Sequence, residues 1–378
     1  MHLDNNGTTF LLPEIRGVLR KLVDSDIGNP AALSQEGRHA HDIVESARES
    51  VAQLVGCTPD GVIFTSSGSE ANASVIRSTL RVTGRNKIVL SQIEHSSLGS
   101  LAELLQAEGV TVTEVRVTPS GVVDEDDLEQ AVDADTAVVS VQMVNNETGI
   151  IQPYETAALM AHRHGALFHT DAAQAVGKLR FSLSDTGADY LTFTAHKFHG
   201  PQGIGSIVTS LPWDRFIPLI PGGSQEHGKR GGTHNVLSIA GIGEAARIRD
   251  EQFEKAIAHM AFLRDTFESA LRERIPGLAV NGDPGRRVCN TSNMLFPHID
   301  GKALYLRLLS DGLACSQSSA CTAQIPEPSK VLRAMGLSYD EAFSSMRFSF
   351  SVMNTYDEAV GAVETIVRHY STLRALAA

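Results

Sequence analysis

Through the first 250 residues, short apolar runs alternate with longer amphipathic ones, and few folds accommodate that alternation. The apolar runs fall at 61–65, 87–91, 110–115, 137–144, 167–171, 190–195 and 204–209. Helical periodicity fills much of the space between them, at 13–23, 36–55, about 69–82, 97–108 and 155–164. Strands separated by helices of this length predict a mostly parallel sheet covered on both faces. The stretch 236–274 is almost continuously helical in pattern and leads the chain out of this layer. Beyond it the pattern changes to a strand at 292–296, a helix at 302–309, a short strand near 313, a helix at 329–335, a strand at 346–351 and a helix at 357–373. The expectation is α/β: a large domain over 13–250 and a smaller α+β domain built from 1–12 and 251–378. A chain of 378 residues suits one large and one smaller core.

The formal net charge of −12 argues against nucleic acid and anionic membrane as main partners, while leaving room for a local basic pocket. No apolar run reaches transmembrane length, and the first residues do not read as a signal peptide. Four cysteines, Cys57, Cys289, Cys315 and Cys321, are too few for a disulfide framework in a chain of this size, so a cytoplasmic location is expected. No C-x-x-C pair occurs and no ligand cluster accompanies His196 and His199, so no metal site is expected.

The run 190–195 ends in Ala195-His196-Lys197-Phe198-His199-Gly200-Pro201. A lysine at the buried end of a strand loses hydration of its charged form, and a neutral amine attacks carbonyl carbon. Most lysines are simply solvated, but Asp171 closes the preceding apolar run. A carboxylate at one strand end and a lysine at the next are what pyridoxal 5'-phosphate (PLP) requires, one for its ring nitrogen and one for its aldehyde. Ser67-Gly68-Ser69-Glu70 joins a strand to a helix, as a phosphate-binding turn does, and also as an ordinary N-cap does. Gly231-Gly232-Thr233 follows Lys229-Arg230 and reads either as a second phosphate cluster or as a surface loop. His95 stands after a strand, where it could stack on a flat ring and move protons, although a lone histidine is commonly structural. Cys321 lies in a small, polar, proline-punctuated segment that reads as an exposed loop, whereas Cys315 reads as a buried thiol. Arg347 lies within a strand and is either a substrate clamp or half of a structural ion pair.

In order along the chain, Leu3-Asp4-Asn5-Asn6-Gly7-Thr8-Thr9, Gly28-Asn29-Pro30, Ser67-Gly68-Ser69-Glu70, Glu94-His95, Val144-Asn145-Asn146-Glu147-Thr148-Gly149, His169-Thr170-Asp171-Ala172-Ala173-Gln174, Ala195-His196-Lys197, Arg230-Gly231-Gly232-Thr233, Ser319-Ala320-Cys321-Thr322 and Ser345-Met346-Arg347-Phe348-Ser349 together resemble the cysteine desulfurases. These are PLP enzymes of the class V aminotransferase superfamily, fold type I. The likeness spans nearly the whole chain and is nearest to the group that supplies sulfur for iron–sulfur clusters and tRNA thiolation. It implies that Lys197 holds PLP and acts as base, Asp171 keeps the ring nitrogen protonated, Gln174 bonds the ring's phenolic oxygen and His95 stacks on the ring. Gly68, Ser69, Thr194 and His196 are implied to bind the phosphate, with Thr233 reaching the phosphate of a second subunit in a homodimer. Asn29, Asn146 and Arg347 are implied to hold L-cysteine, Asn146 near the cofactor as well. Cys321 is implied to take the sulfur as a persulfide for an acceptor protein. The chain departs from the family pattern at Ala73, Gln225, Gly231 and Ser318. A selenocysteine lyase, another class V lyase or aminotransferase, and a non-catalytic sulfur-relay subunit are the competing readings.

Overall fold

The computed structural model describes residues 1–317 and 327–377. Among them, β1 (Val62–Thr65), β2 (Lys87–Ser91), β3 (Thr111–Val115), β4 (Thr136–Ser140), β5 (Leu167–Asp171), β6 (Tyr190–Thr194) and β7 (Gly205–Thr209) form one sheet in the order β1-β7-β6-β5-β4-β2-β3. The pairs β2–β3, β2–β4, β4–β5 and β5–β6 are parallel, while β7 runs antiparallel to β6 and β1. Every residue of β4, β6 and β7 is buried, which is why these strands read as unbroken apolar runs. The run 137–144 outlasts its strand: past Ser140 the backbone stays buried because Val141 and Met143 donate to carbonyls of His169 and Asp171.

Helices α1 (Pro13–Val23), α2 (Gln35–Val55), α3 (Gly68–Thr83) and α4 (Ser96–Ala107) pack around this sheet. Proline opens α1, Ser34 caps α2, and Gly56 ends α2 at φ 62°, a conformation a side chain disfavours. Buried Ala40, Val44, Ala47, Val51 and Val55 line one face of α2. That face meets the helix Val236–Glu251 so closely that a Cβ on Gly243 would lie 2.5 Å from the Cα of Ala47. The long helical stretch 236–274 is two helices, Val236–Glu251 and Phe253–Arg274, divided at Gln252 (φ −107°, ψ 15°). No helix-breaking residue stands there; the turn coincides with burial of the Phe253 ring, with the Arg180 guanidinium 4.0 Å above it.

A second sheet, in the order β10-β11-β9-β8, contains β8 (Ala279–Val280), β9 (Thr291–Leu295), β10 (Ser316–Gln317) and β11 (Ser345–Ser349), all antiparallel. Its core joins Phe267 of the helix Phe253–Arg274 to Phe348 and Phe350, with Phe267 and Phe348 centroids 5.0 Å apart. The first residues of the chain belong to this layer: Leu3 is fully buried in it, donates to Ala314 O and accepts from Ser349 N, both at 2.8 Å. By Thr9 the chain has crossed to the end of β6, where Thr9 N donates to His196 O at 2.9 Å. No described helix is long and apolar enough to cross a membrane.

The loop carrying Gly231 to Thr233 is fixed by one buried carboxylate. Glu226 accepts from both terminal nitrogens of Arg48 at 2.9 Å, from Phe64 N at 2.8 Å and pairs with His234 at 2.7 Å. Burial alone would raise the Glu226 carboxyl, but the His234 and Arg48 bonds hold it down at about 2. Gly231 explains a departure from the family pattern: a Cβ there would lie 2.6 Å from Gly222 Cα, so the two backbones stack with no room for serine. Because the folded Glu226 value is depressed from about 4.5 to about 2, its contribution of roughly 3 kcal/mol is complete above the unfolded value and is lost as pH falls through the folded one. Glu226→Gln, which also strands a buried Arg48, should lower the urea midpoint strongly at pH 7. The gap to the parent protein should shrink as pH falls from 4.5, and a gap independent of pH would contradict this account.

Candidate active site

Asp171 is the last residue of β5 and lies level with Thr192 of β6; Lys197 follows five residues later in a tight turn, Ala195–Lys197. Gly200 closes that turn, since a Cβ there would lie 2.6 Å from the Cβ of Ala195. Both groups therefore emerge at the carboxyl ends of neighbouring parallel strands, where open α/β sheets bind ligands. Lys197 Nζ donates to the carbonyls of Asn6 at 2.7 Å and Gly7 at 2.8 Å. Asp171 is buried and accepts from Asn72 Nδ2 and Ala173 N, each at 2.9 Å. Asn72 Nδ2 also reaches Ser97 Oγ at 3.1 Å, which bonds His95 Nδ1 at 2.9 Å, so one chain of hydrogen bonds links Asp171 to His95.

His95 caps α4 by accepting Ser97 N at Nδ1, leaving the proton of the neutral ring on Nε2. Solvent reaches one side of the ring, yet surrounding protein pushes His95 below its ordinary value; Asp171 opposes that shift and Lys197 adds to it. His169, fully enclosed between Ser140 and Thr192 hydroxyls, is pushed down to about 4 by burial, and His196 falls to about 4 by burial with Lys197 and His95 adding. Burial pushes the Glu94 carboxyl up to about 8, against hydrogen bonds from Ser91 and Gln142 N and with Asp171 adding to it. At neutral pH the residues packed around Asp171 are thus mostly uncharged.

The start of α3 faces the same region. Ser67 caps it by accepting Glu70 N, Ser69 is exposed, and Gly68 lies beside Thr194. A Cβ on Gly68 would meet Thr194 at an ordinary 3.7 Å, so internal packing does not demand glycine; its absence of a side chain keeps the first turn open. Gly205 is the constrained one, where a Cβ would lie 2.6 Å from the Ser67 carbonyl carbon. Thr194 donates its hydroxyl to Ile204 O at 2.8 Å, and His196 Nδ1 is 3.1 Å from Thr8 Oγ1. Arg230 grips Glu70 at 2.9 Å, tying the Thr233 loop to this helix start; Thr233 itself is exposed.

Arg347 on β11 is 7% exposed, and its Nη1 donates to Asn146 O at 2.9 Å while Nη2 pairs with Asp4 at 2.5 Å. Its Nε is buried without a partner. Gln174 donates to Asn6 O at 3.1 Å, the same oxygen that Lys197 uses. The structure thus brings Lys197, Asp171, Gln174, His95, Asn146 and Arg347 into one hydrogen-bonded and electrostatic neighbourhood. Asn29 is not joined to it by any hydrogen bond among the described residues: it stands exposed, its side chain accepting Ala31 N at 3.0 Å. Cys321 lies outside the described residues. Both flanks of its segment end at the site, since Ser316 is in register with Arg347, and Ser329 donates to Glu147 at 2.5 Å. Burial pushes Glu147 up to about 7, opposed by Ser329 and Arg347. Cys315 is buried, as its apolar context predicts.

Three contributors escaped the sequence reading: Asn6, Asn72 and Lys178. The N-terminal motif pointed toward Asn6 without giving it a role. Lys178, 5% exposed, donates to Gln174 Oε1 at 2.6 Å and Asn6 Oδ1 at 3.1 Å.

Residues 1–360 match the family model described as aminotransferase class-V. A cysteine desulfurase of Trichormus azollae is 38% identical over 377 residues, covering 100% of this chain and 94% of the relative. The cysteine desulfurase NifS of Azotobacter vinelandii is 38% identical over 360 residues, covering 95% and 89%. A solved NifS-like protein superposes with a TM-score of 0.91 at 32% identity, covering 99% of this chain and 100% of its own. The structure described as SspA in complex with cysteine gives 0.83 at 30% identity, covering 94% and 99%. With a sheet whose strand ends present a lysine and an anchored aspartate, the chain belongs to the class V aminotransferase family and, within it, to the cysteine desulfurases.

Proposed function

We propose that this cysteine desulfurase uses PLP carried on Lys197, takes sulfur from L-cysteine onto Cys321 and leaves L-alanine. The observation that carries the reading is the placement of Lys197 and Asp171 at the ends of adjacent strands, beside an open helix start. The donor set fits PLP: an amine for its aldehyde, a fixed carboxylate for its ring nitrogen and a first helical turn for its phosphate. When bound, PLP supplies an electron sink for the pair released at the substrate Cα.

The residues divide the remaining work. Lys197 would hold the cofactor by its aldehyde in place of the carbonyls of Asn6 and Gly7 and would take the proton from the substrate Cα. Asp171, held by Asn72 and Ala173 N, keeps a proton on the ring nitrogen. His95 stacks on the ring and donates from Nε2. Gln174 bonds the phenolic oxygen. Gly68, Ser69, Thr194 and His196 bind the phosphate, with Thr233 supplied by the second copy of a homodimer; its exposure in the single chain supports that role. Arg347 takes the substrate carboxylate in place of Asp4, with Asn146 and Asn29 completing the clamp. The Cys321 thiolate attacks the substrate sulfur: the S–S bond forms, the Cβ–S bond breaks, its electron pair stays with carbon and a proton follows. The persulfide then passes to an acceptor protein. A cytoplasmic setting accords with the cysteine count.

Incubation of the holoenzyme with L-cysteine and a thiol should yield alanine and sulfide together, and mass spectrometry should find the extra sulfur on Cys321. Lys197→Ala should lose both products by about 10²–10⁴-fold or more. Cys321→Ala should lose sulfide release; full retention would move the reading to a selenocysteine lyase. Arg347→Lys should raise KM by about ten- to a hundredfold through loss of a charged two-point contact, with a smaller change in kcat.

A further inference from the structure

Near Lys197 the two layers enclose a cavity with about 10 Å³ of room for the centre of a water-sized molecule, space for one occupant. Lys178, Arg249, His199, Asn290 and Phe350 line it, with Lys197 also on the wall; Asp171, Gln174, Gly68 and His95 do not. Arg249 is 5% exposed, and its Nη1 is buried with no hydrogen-bond partner. The stem is packed against Gly177, where a Cβ would lie 3.0 Å from Arg249 Cγ. No carboxylate among the described residues pairs with Arg249 or Lys178. Both acceptors of Lys178, Gln174 Oε1 and Asn6 Oδ1, are neutral, and they use two of its three protons.

Two neutral side chains on the wall already bond elsewhere. Asn290 donates to Asn6 Oδ1 and Phe350 O, and His199 Nδ1 donates to Phe10 O at 2.7 Å. Burial, reinforced by Arg249 and Lys178 against the Phe10 bond, pushes His199 down to about 4, so it adds no charge. Cys289 is buried and burial raises its thiol against the pull of Lys178 and Arg249, so it supplies no compensating thiolate at neutral pH. Burial lowers Arg249 only to about 10, which keeps it charged. Burial pushes the Lys178 ammonium down to about 7, with Lys197, Arg249 and Arg347 adding and Cys289 opposing, so at neutral pH Arg249 carries the uncompensated charge and Lys178 stands ready to take a proton beside an anion.

We propose that this cavity binds one monovalent anion the size of chloride, held between Arg249 Nη1 and the Lys178 ammonium. The site is separate from the groups assigned to cofactor and substrate, apart from the Lys197 wall. The test is thermal unfolding of the holoenzyme in sodium chloride, sodium bromide and sodium gluconate at equal ionic strength, together with diffraction from crystals grown in bromide. The halides should raise the unfolding temperature by a few degrees over gluconate, which is too large to enter. Arg249→Met should abolish that halide-specific rise, and bromide should give an anomalous peak between Arg249 and Lys178. An equal halide response in the variant, or a cavity holding only water in bromide crystals, overturns the proposal. Should the variant fail to fold, the bromide crystals of the parent protein decide alone.

Discussion

Asn6 is the point at which the two layers and the reactive lysine are fastened together. Its side-chain amide donates to Asn146 O at 3.1 Å and Thr291 Oγ1 at 2.9 Å, and its oxygen accepts from Lys178 and Asn290, both at 3.1 Å. Its main-chain carbonyl accepts from Lys197 and Gln174, and its N–H donates to Ser349 Oγ at 2.9 Å. Its side-chain hydrogen-bonding capacity is used, in a residue 2% exposed. Its partners come from five separate stretches of the chain: Asn146, Gln174 with Lys178, Lys197, Asn290 with Thr291, and Ser349.

Around this knot the protein sorts its charges. Strand-end placement brings Asp171 close to His95, His169 and Glu94, with His196 beside Lys197, and burial is the main cause that pushes all four of those toward neutrality. Desolvation penalises whichever form is charged, so acids rise and histidines fall in the same enclosure. Asp171 has what the others lack, two N–H donors aimed at its oxygens. Arg347 and Asp4 settle a similar question by pairing, while Arg249 leaves its buried Nη1 without a hydrogen-bond partner among the described residues.

The pairing of Lys197 with Asp171 was legible because both follow apolar runs, and strand ends are where such runs stop. The run 137–144 misled in length because buried irregular backbone is as apolar as a strand; hydrophobicity reports burial, not pairing. The almost continuous helical pattern over 236–274 hid a turn at Gln252 that no proline or glycine announces. Asn6, Lys178 and Arg249 were illegible for another reason. Their partners lie up to hundreds of positions away, and an isolated lysine or arginine near a helix end looks like any solvated cation. Asn29 was drawn in by resemblance, and no hydrogen bond among the described residues joins it to the cluster.

The crossing of residues 1–9 from one layer to the other also bears on the order of assembly. Leu3 and Asn5 bond Ala314 and Ser349, which are made much later than they are. The large sheet can be complete while its amino-terminal strap is still waiting, and only when β11 arrives are Asn5 and Asn6 anchored at Ser349 beside Lys197. Contacts of such long sequence separation form late and slowly. A nascent chain therefore acquires the finished setting of its amine only once β11 has been made, after the strands of the large sheet.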